Sequence, residues 1–179
     1  MRTVKLYVGE EVTLTCAVTR DDTGADWNPS SATRVVYDPE ETTEGVVDTG
    51  TASTIVDAAR TEADDLWNGI PLAIEDITDG AVYQTEVEDF VASTDTMTFG
   101  NLPVKEGVAL TAAVGDKYTL GGYPVLTKAA ATVSGNDMSF QATPANGVTE
   151  RPRTLICVWH ADMGTDSFRE VWKLIVLPR

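Results

Sequence analysis

The residues of this chain best suited to nucleophilic or acid–base chemistry are Cys16, Cys157 and the single histidine, His160. A Cys–His pair supports nucleophilic catalysis only when the two side chains come within hydrogen-bonding reach. Cys157 and His160 lie in a segment that alternates like a β-strand, so Cys157 and Trp159 project to one face and Val158 and His160 to the other. They cannot form a dyad, and His160 is read as structural or exposed. Cys16 and Cys157 both fall on apolar faces and are candidate core thiols. Buried free thiols are expected of them, with a disulfide as the alternative, since spacing does not establish its geometry. The carboxylates Asp64-Asp65 and Glu86, Glu88 and Asp89 invite a calcium or acid/base reading. A calcium loop needs about six converging oxygens and a turn-forming glycine at fixed spacing. No such motif is present, so a solvated acidic face is expected. Trp67, Trp159 and Trp172 are suited to a sugar-binding platform, but each sits inside an apolar pattern that favours core or interface packing. No glycine-rich phosphate loop, nucleophile elbow or zinc signature occurs. No catalytic, cofactor-binding or metal-binding residue is therefore expected, and a non-enzymatic role follows.

Charge narrows the partners. The 179 residues include 28 acidic and 13 basic side chains, a formal charge of −15, with a pI near 4.2. Binding to nucleic acid or to an anionic membrane needs a positive surface, so neither is expected. No stretch approaches the roughly 18 consecutive apolar residues of a membrane helix. Met1 to Lys5 lead into alternation and not into an apolar signal core, so the mature chain is expected to start at Met1 and to be soluble.

The elements that must position these residues read as strands. The sequence holds 25 Thr and 21 Val, an excess suited to a pleated, half-buried surface. Val4, Leu6 and Val8 alternate with Thr3, Lys5 and Tyr7, and after Gly9-Glu10 the pattern resumes as Val12, Leu14, Cys16 and Val18. A turn-rich loop, residues 20 to 31, with Trp27 as its anchor, precedes a strand from Ala32 to Tyr37. Further on, strands are expected at Gly50 to Asp57, Ile70 to Glu75, Val82 to Val91, Thr96 to Phe99 and Lys117 to Leu120. A helical turn is expected at Thr61 to Trp67, capped by Thr61 and Asp64. After the break Gly121-Gly122-Tyr123-Pro124, four strands are expected: Ala130 to Val133, Met138 to Ala142, Thr154 to His160 and Phe168 to Val176.

Neither flank offers enough strands for a domain, but residues 1 to 45 and 121 to 179 together give seven, the count of an immunoglobulin-like β-sandwich. The fold class expected is all-β: a discontinuous immunoglobulin-like β-sandwich with an inserted small β-barrel over residues 46 to 120. The insert carries a net −11, against −5 and +1 for the two flanks. It is expected to project into solvent while the sandwich docks.

Several segments carry a resemblance. Residues 50 to 57, 63 to 69, 87 to 90, 93 to 99 and 115 to 120 resemble a small β-module of tailed-bacteriophage and prophage structural proteins. Val8-Gly9-Glu10-Glu11-Val12-Thr13-Leu14 resembles the opening of the immunoglobulin-like domain of phage baseplate and other virion proteins, and Val133-Ser134-Gly135-Asn136 with the final strand resembles its close. The resemblance implies a virion structural protein assembled in the host cytoplasm, present in multiple copies or as a homo-oligomer, with other virion proteins as partners. Decoration or cementing of the capsid surface is the leading expectation. A neck, tail or baseplate component is the runner-up, and a carbohydrate- or receptor-binding module the alternative of another class. The candidate docking residues are Trp172, Leu174, Ile175, Val176 and Leu177, on a C-terminal strand expected to pair edge to edge with a neighbouring subunit, as is Thr3 to Val8.

Overall fold

Period-two alternation governs most of the chain, and in the computed structural model every regular element among the described residues is a strand. The structure describes residues 1–19, 23–105, 108–142, 152–164 and 166–178. The expected loop residues 20–22 lie outside them. The strands are β1 (Arg2–Tyr7), β2 (Val12–Ala17), β3 (Ser31–Asp38), β4 (Thr43–Val46), β5 (Thr49–Gly50), β6 (Thr54–Val56), β7 (Pro71–Glu75), β8 (Val82–Val91) and β9 (Thr96–Phe99). They continue as β10 (Val104–Lys105), β11 (Val108–Ala109), β12 (Lys117–Leu120), β13 (Tyr123–Ala130), β14 (Thr132–Ser134), β15 (Asp137–Ala142), β16 (Arg153–Asp162) and β17 (Ser167–Leu177).

The chain divides into two compact units, Met1–Val36 with Ala129–Arg179, and Tyr37–Lys128. The boundaries lie outside the expected 45/46 and 120/121 because residues on either side pack with the insert. β4 pairs with β12, and Trp67 meets Tyr123 edge to face at 5.6 Å.

A five-stranded sheet has the order β1-β17-β16-β3-β13, and in the first unit its strands β1, β17, β16 and most of β3, together with a three-stranded sheet of order β14-β15-β2, turn their apolar faces inward. Leu14, Cys16 and Val18 are buried while Thr13, Thr15 and Ala17 are exposed, as the alternation requires. Phe140 on β15 meets Trp159 on β16 at 5.1 Å, and Trp159 meets Trp172 on β17 at 5.4 Å, so three aromatic rings fill the interior from both sheets. The expected break at residues 121–124 falls where β12 ends, at Leu120, but it spans only Gly121 and Gly122. β13 already begins at Tyr123 and contains Pro124, which a sheet tolerates at an edge, the position β13 holds.

The second unit is built on one sheet of order β4-β12-β7-β8-β9-β6-β5. Its two edge strands are successive pieces of chain, separated only by Val47 and Asp48. Val47 donates its N–H to Asp116 and Asp48 donates to Val56. One bent segment thus serves both edges, and the sheet curls back on itself around Ile55, Trp67, Leu72, Ile74, Val87, Phe90, Met97 and Leu120. The strand expected from Gly50 to Asp57 is instead a hairpin, β5 and β6. The Thr51 hydroxyl accepts the N–H groups of Ser53 and Thr54 and turns the chain there. The expected helical turn is a series of tight turns. Asp65 stands at φ 62°, which a right-handed helix cannot include, and the Asp64 carboxylate accepts the N–H of Ala92 at 2.6 Å instead of capping its own segment.

Candidate functional site

Trp172, Leu174 and Val176 occupy alternate positions of β17 and are buried at 1%, 1% and 0% exposure, in the interior of the first unit. They are core residues, which corrects the expectation that they dock a partner. Nor does the stretch Trp172–Leu177 offer a free edge, because β1 pairs with it in parallel and β16 pairs antiparallel along Ser167–Val176. A strand with a neighbour on each side has no unpaired row of backbone groups. Ile175 and Leu177, on the other face, are half-buried. Of the two segments proposed for edge pairing, only β1 stands at the margin of the sheet.

The registers define the outward face of these strands row by row: Lys5 beside Ile175 beside Thr154, Thr3 beside Lys173 beside Ile156, and Arg169 beside His160. Tyr7 adjoins Leu177, and Val171 adjoins Val158. All of these except Val158 are exposed or half-exposed. The face is therefore apolar and cationic, and its one carboxylate, Asp162, lies at the far end and accepts the N–H of Gly164. The outward face of the three-stranded sheet is quite different, with Thr13, Thr15 and Ala17 beside Gln141, Ser139 and Asp137. Within one unit, the face of one sheet has ordinary solvent composition and the other does not.

A polar cluster crosses the interior. The Cys16 thiol donates to Glu170 Oε2 at 3.1 Å, and Trp172 Nε1 donates to Glu170 Oε1 at 2.7 Å. Arg2 lies 4.6 Å above the Trp172 ring. Both cysteines are buried and unbonded. Burial, then the Glu170 hydrogen bond, pushes the Cys16 thiol far above its ordinary range. Burial pushes the Cys157 thiol up to about 12, against a smaller opposing pull from Arg34. Neither is a thiolate near neutral pH, so neither is a ready nucleophile or metal ligand.

A second cluster braces the insert. Tyr118, 1% exposed, donates its hydroxyl to Asp57 Oδ2 at 2.6 Å. Asp57 also accepts the Ala59 N–H at 2.9 Å and pairs with Arg60 at 3.3 Å. Arg60 in turn donates to the Glu44 carbonyl at 2.8 Å. Burial and the Asp57 carboxylate hold the Tyr118 proton well above the ordinary tyrosine range. No sequence signal marks this site, because Asp57 and Tyr118 are 61 positions apart and meet only through the tertiary fold. An open recess of about 470 Å³ beside it is lined by Glu44, Glu75, Lys117 and their neighbours, without a nucleophile and base in mutual reach.

Asp65 and Asp89 are brought together on the insert, where Asn68 Nδ2 donates to both at 2.8 and 3.4 Å. Among the described residues no group of three or more His, Cys, Asp or Glu side chains is placed to hold a metal ion. Trp67, Trp159 and Trp172 are all at most 1% exposed, so none presents a ring to a sugar. Comparison with protein families, with curated proteins and with solved structures finds no match to this chain.

Proposed function

We propose that this chain is a non-enzymatic structural protein of a phage particle, acting through protein–protein contact, with decoration of the capsid surface as its leading role and a neck, tail or baseplate position as the runner-up. The observation that carries the contact role is the apolar, cationic outward face of β1, β17 and β16 in a unit of net −1, set against an insert unit of net −14. Stable protein interfaces have an apolar centre with few carboxylates, which this face provides. The virion setting rests on the segment resemblances described above. The burial of the three tryptophans weighs against a carbohydrate-binding module.

The test is mass spectrometry and antibody labelling of purified particles from cells that make the protein. The expected result is a fixed copy number per particle at one location, with labelling on intact, unopened capsids. Absence from particles, or glycan binding at millimolar affinity or better by the isolated protein, would overturn the proposal.

A further inference from the structure

The insert ends in an exposed apolar tip. Ile77, in the turn between β7 and β8, is 56% exposed, Val82 at the start of β8 is 57% and Val114 is 70%. The turn and the Val114 loop are tied together: Ile77 donates its N–H to Asp116 Oδ1 at 3.2 Å, and a Cβ on Gly115 would lie 3.1 Å from Ile77 Cδ1. Carboxylates rim this tip. Glu75 is exposed, and Asp76 and Asp79 fix the turn by accepting the N–H groups of Thr78 and Ala81. Lys117 stands opposite Glu75 in the β12–β7 register, so the three carboxylates and one lysine leave the tip apolar and net negative, where the outward face of β1, β17 and β16 is apolar and cationic.

We infer that the chain self-associates head to tail, the insert tip of one copy seating Ile77, Val82 and Val114 on the outward β1-β17-β16 face of a second copy beside Lys5 and Lys173. Apolar burial supplies the affinity, and the carboxylate rim against the lysines fixes the orientation and disfavours the reversed pairing. Two different surfaces meet, so the contact is heterologous: each copy has one free face and one free tip, and assembly continues into a ring or an open array. β17 runs 11 residues, β16 runs 10 and β1 runs six, so the face is about 35 Å long, about 15 Å wide over the roughly 20 Å that β1 covers and about 10 Å wide beyond it. That belongs to the smaller class of interfaces, with dissociation constants on the order of micromolar or weaker. The inference rests on reading this face as a protein interface and not on the virion assignment.

The test is sedimentation velocity of the purified full chain without particles, from about 1 μM to 1 mM. Three variants are compared: K5E/K173E on the face, I77S/V114S on the tip, and T13E/T15E on the outward face of the other sheet. Far-ultraviolet circular dichroism confirms that each is folded. The wild type and T13E/T15E should form species larger than dimers as concentration rises, and the face and tip variants should each associate at least about tenfold more weakly. An equimolar mixture of the face and tip variants should recover a 1:1 dimer and stop there, since only one intact face and one intact tip remain to meet. A wild type that stays monomeric at 1 mM overturns the inference, as does a mixture that stays monomeric or association that survives K5E/K173E. Should a face or tip variant be unfolded, V82S and E75K replace the tip changes and K5E alone replaces the face pair, with the same outcomes read. A monomeric wild type that is nonetheless found on particles would overturn self-association and leave the virion reading standing.

Discussion

Removing one oxygen from Tyr118 should loosen the insert and leave the two-sheet unit unchanged. In Tyr118→Phe the ring still fills its buried place, so the loss is confined to the 2.6 Å hydrogen bond to Asp57. A hydrogen bond to a charged acceptor contributes about 1.5 to 3 kcal/mol. Asp57, 4% exposed, keeps the Ala59 N–H and Arg60, so a value near the middle of that range, about 2 kcal/mol, is expected. At about 1.4 kcal/mol per decade this is roughly a 30-fold rise in the opening equilibrium. Because the two units need not unfold together, hydrogen exchange of the intact chain is the suitable assay, read separately for peptides covering β4 and β12 and for peptides covering β16 and β17. The change should appear in the first set only. It should also depend on pH. Burial alone would raise the Asp57 pKa, but the Tyr118 hydroxyl, the Ala59 N–H and Arg60 outweigh it and hold the carboxyl below its usual value. A group depressed in the folded state stabilises above its unfolded pKa of about 3.9, and that contribution is lost as the pH falls through the folded value. The gap between variant and wild type should therefore be full near pH 7 and shrink below about pH 4. An increase under threefold in the β4 and β12 peptides, or an equal increase in β16 and β17, would refute the reasoning.

Gly45→Ala places a methyl group against the Tyr118 ring and 2.5 Å from Asp57 Oδ2, where both partners are held. It should destabilise the insert by about 3 kcal/mol, and an unchanged melting curve would contradict the packing described. Trp172→Ala removes a ring that touches Trp159 and carries the Glu170 hydrogen bond, and urea unfolding should show a loss of about 3 to 5 kcal/mol in the two-sheet unit. A loss below about 1 kcal/mol would return Trp172 to the candidate docking residues. Iodoacetamide at pH 8 should leave both cysteines unmodified in the native protein and label both in denaturant, as mass spectrometry would show. Native labelling at the rate of a free thiol would mean that the buried, protonated state of Cys16 and Cys157 is wrong.

The sequence by itself determined the class of structure, because alternation is a local property. Thr13, Thr15, Leu14 and Cys16 show which face of β2 is buried with no knowledge of the partner strand, and β8, β9 and β12 lie where composition and turn residues placed them. Segments whose local signals compete were decided by tertiary context. The acidic run before Gly45 carries no strand pattern, yet β4 forms there because β12 offers it a ladder and Arg60 ties down Glu44. The 61 to 67 segment has a capping pattern, yet Asp64 bonds the distant Ala92 instead. Sheet order also lay beyond the sequence. The apolar run at the C-terminus reads as a sticky edge on its own, and it became the interior of a sheet because β1, from the opposite end of the chain, pairs along its whole length. The same pairing placed Lys5 beside Ile175 and Thr3 beside Lys173, so the cationic, apolar face was assembled from residues about 170 positions apart. Such a surface depends on which strands become neighbours, and that is settled by the packing of the whole chain.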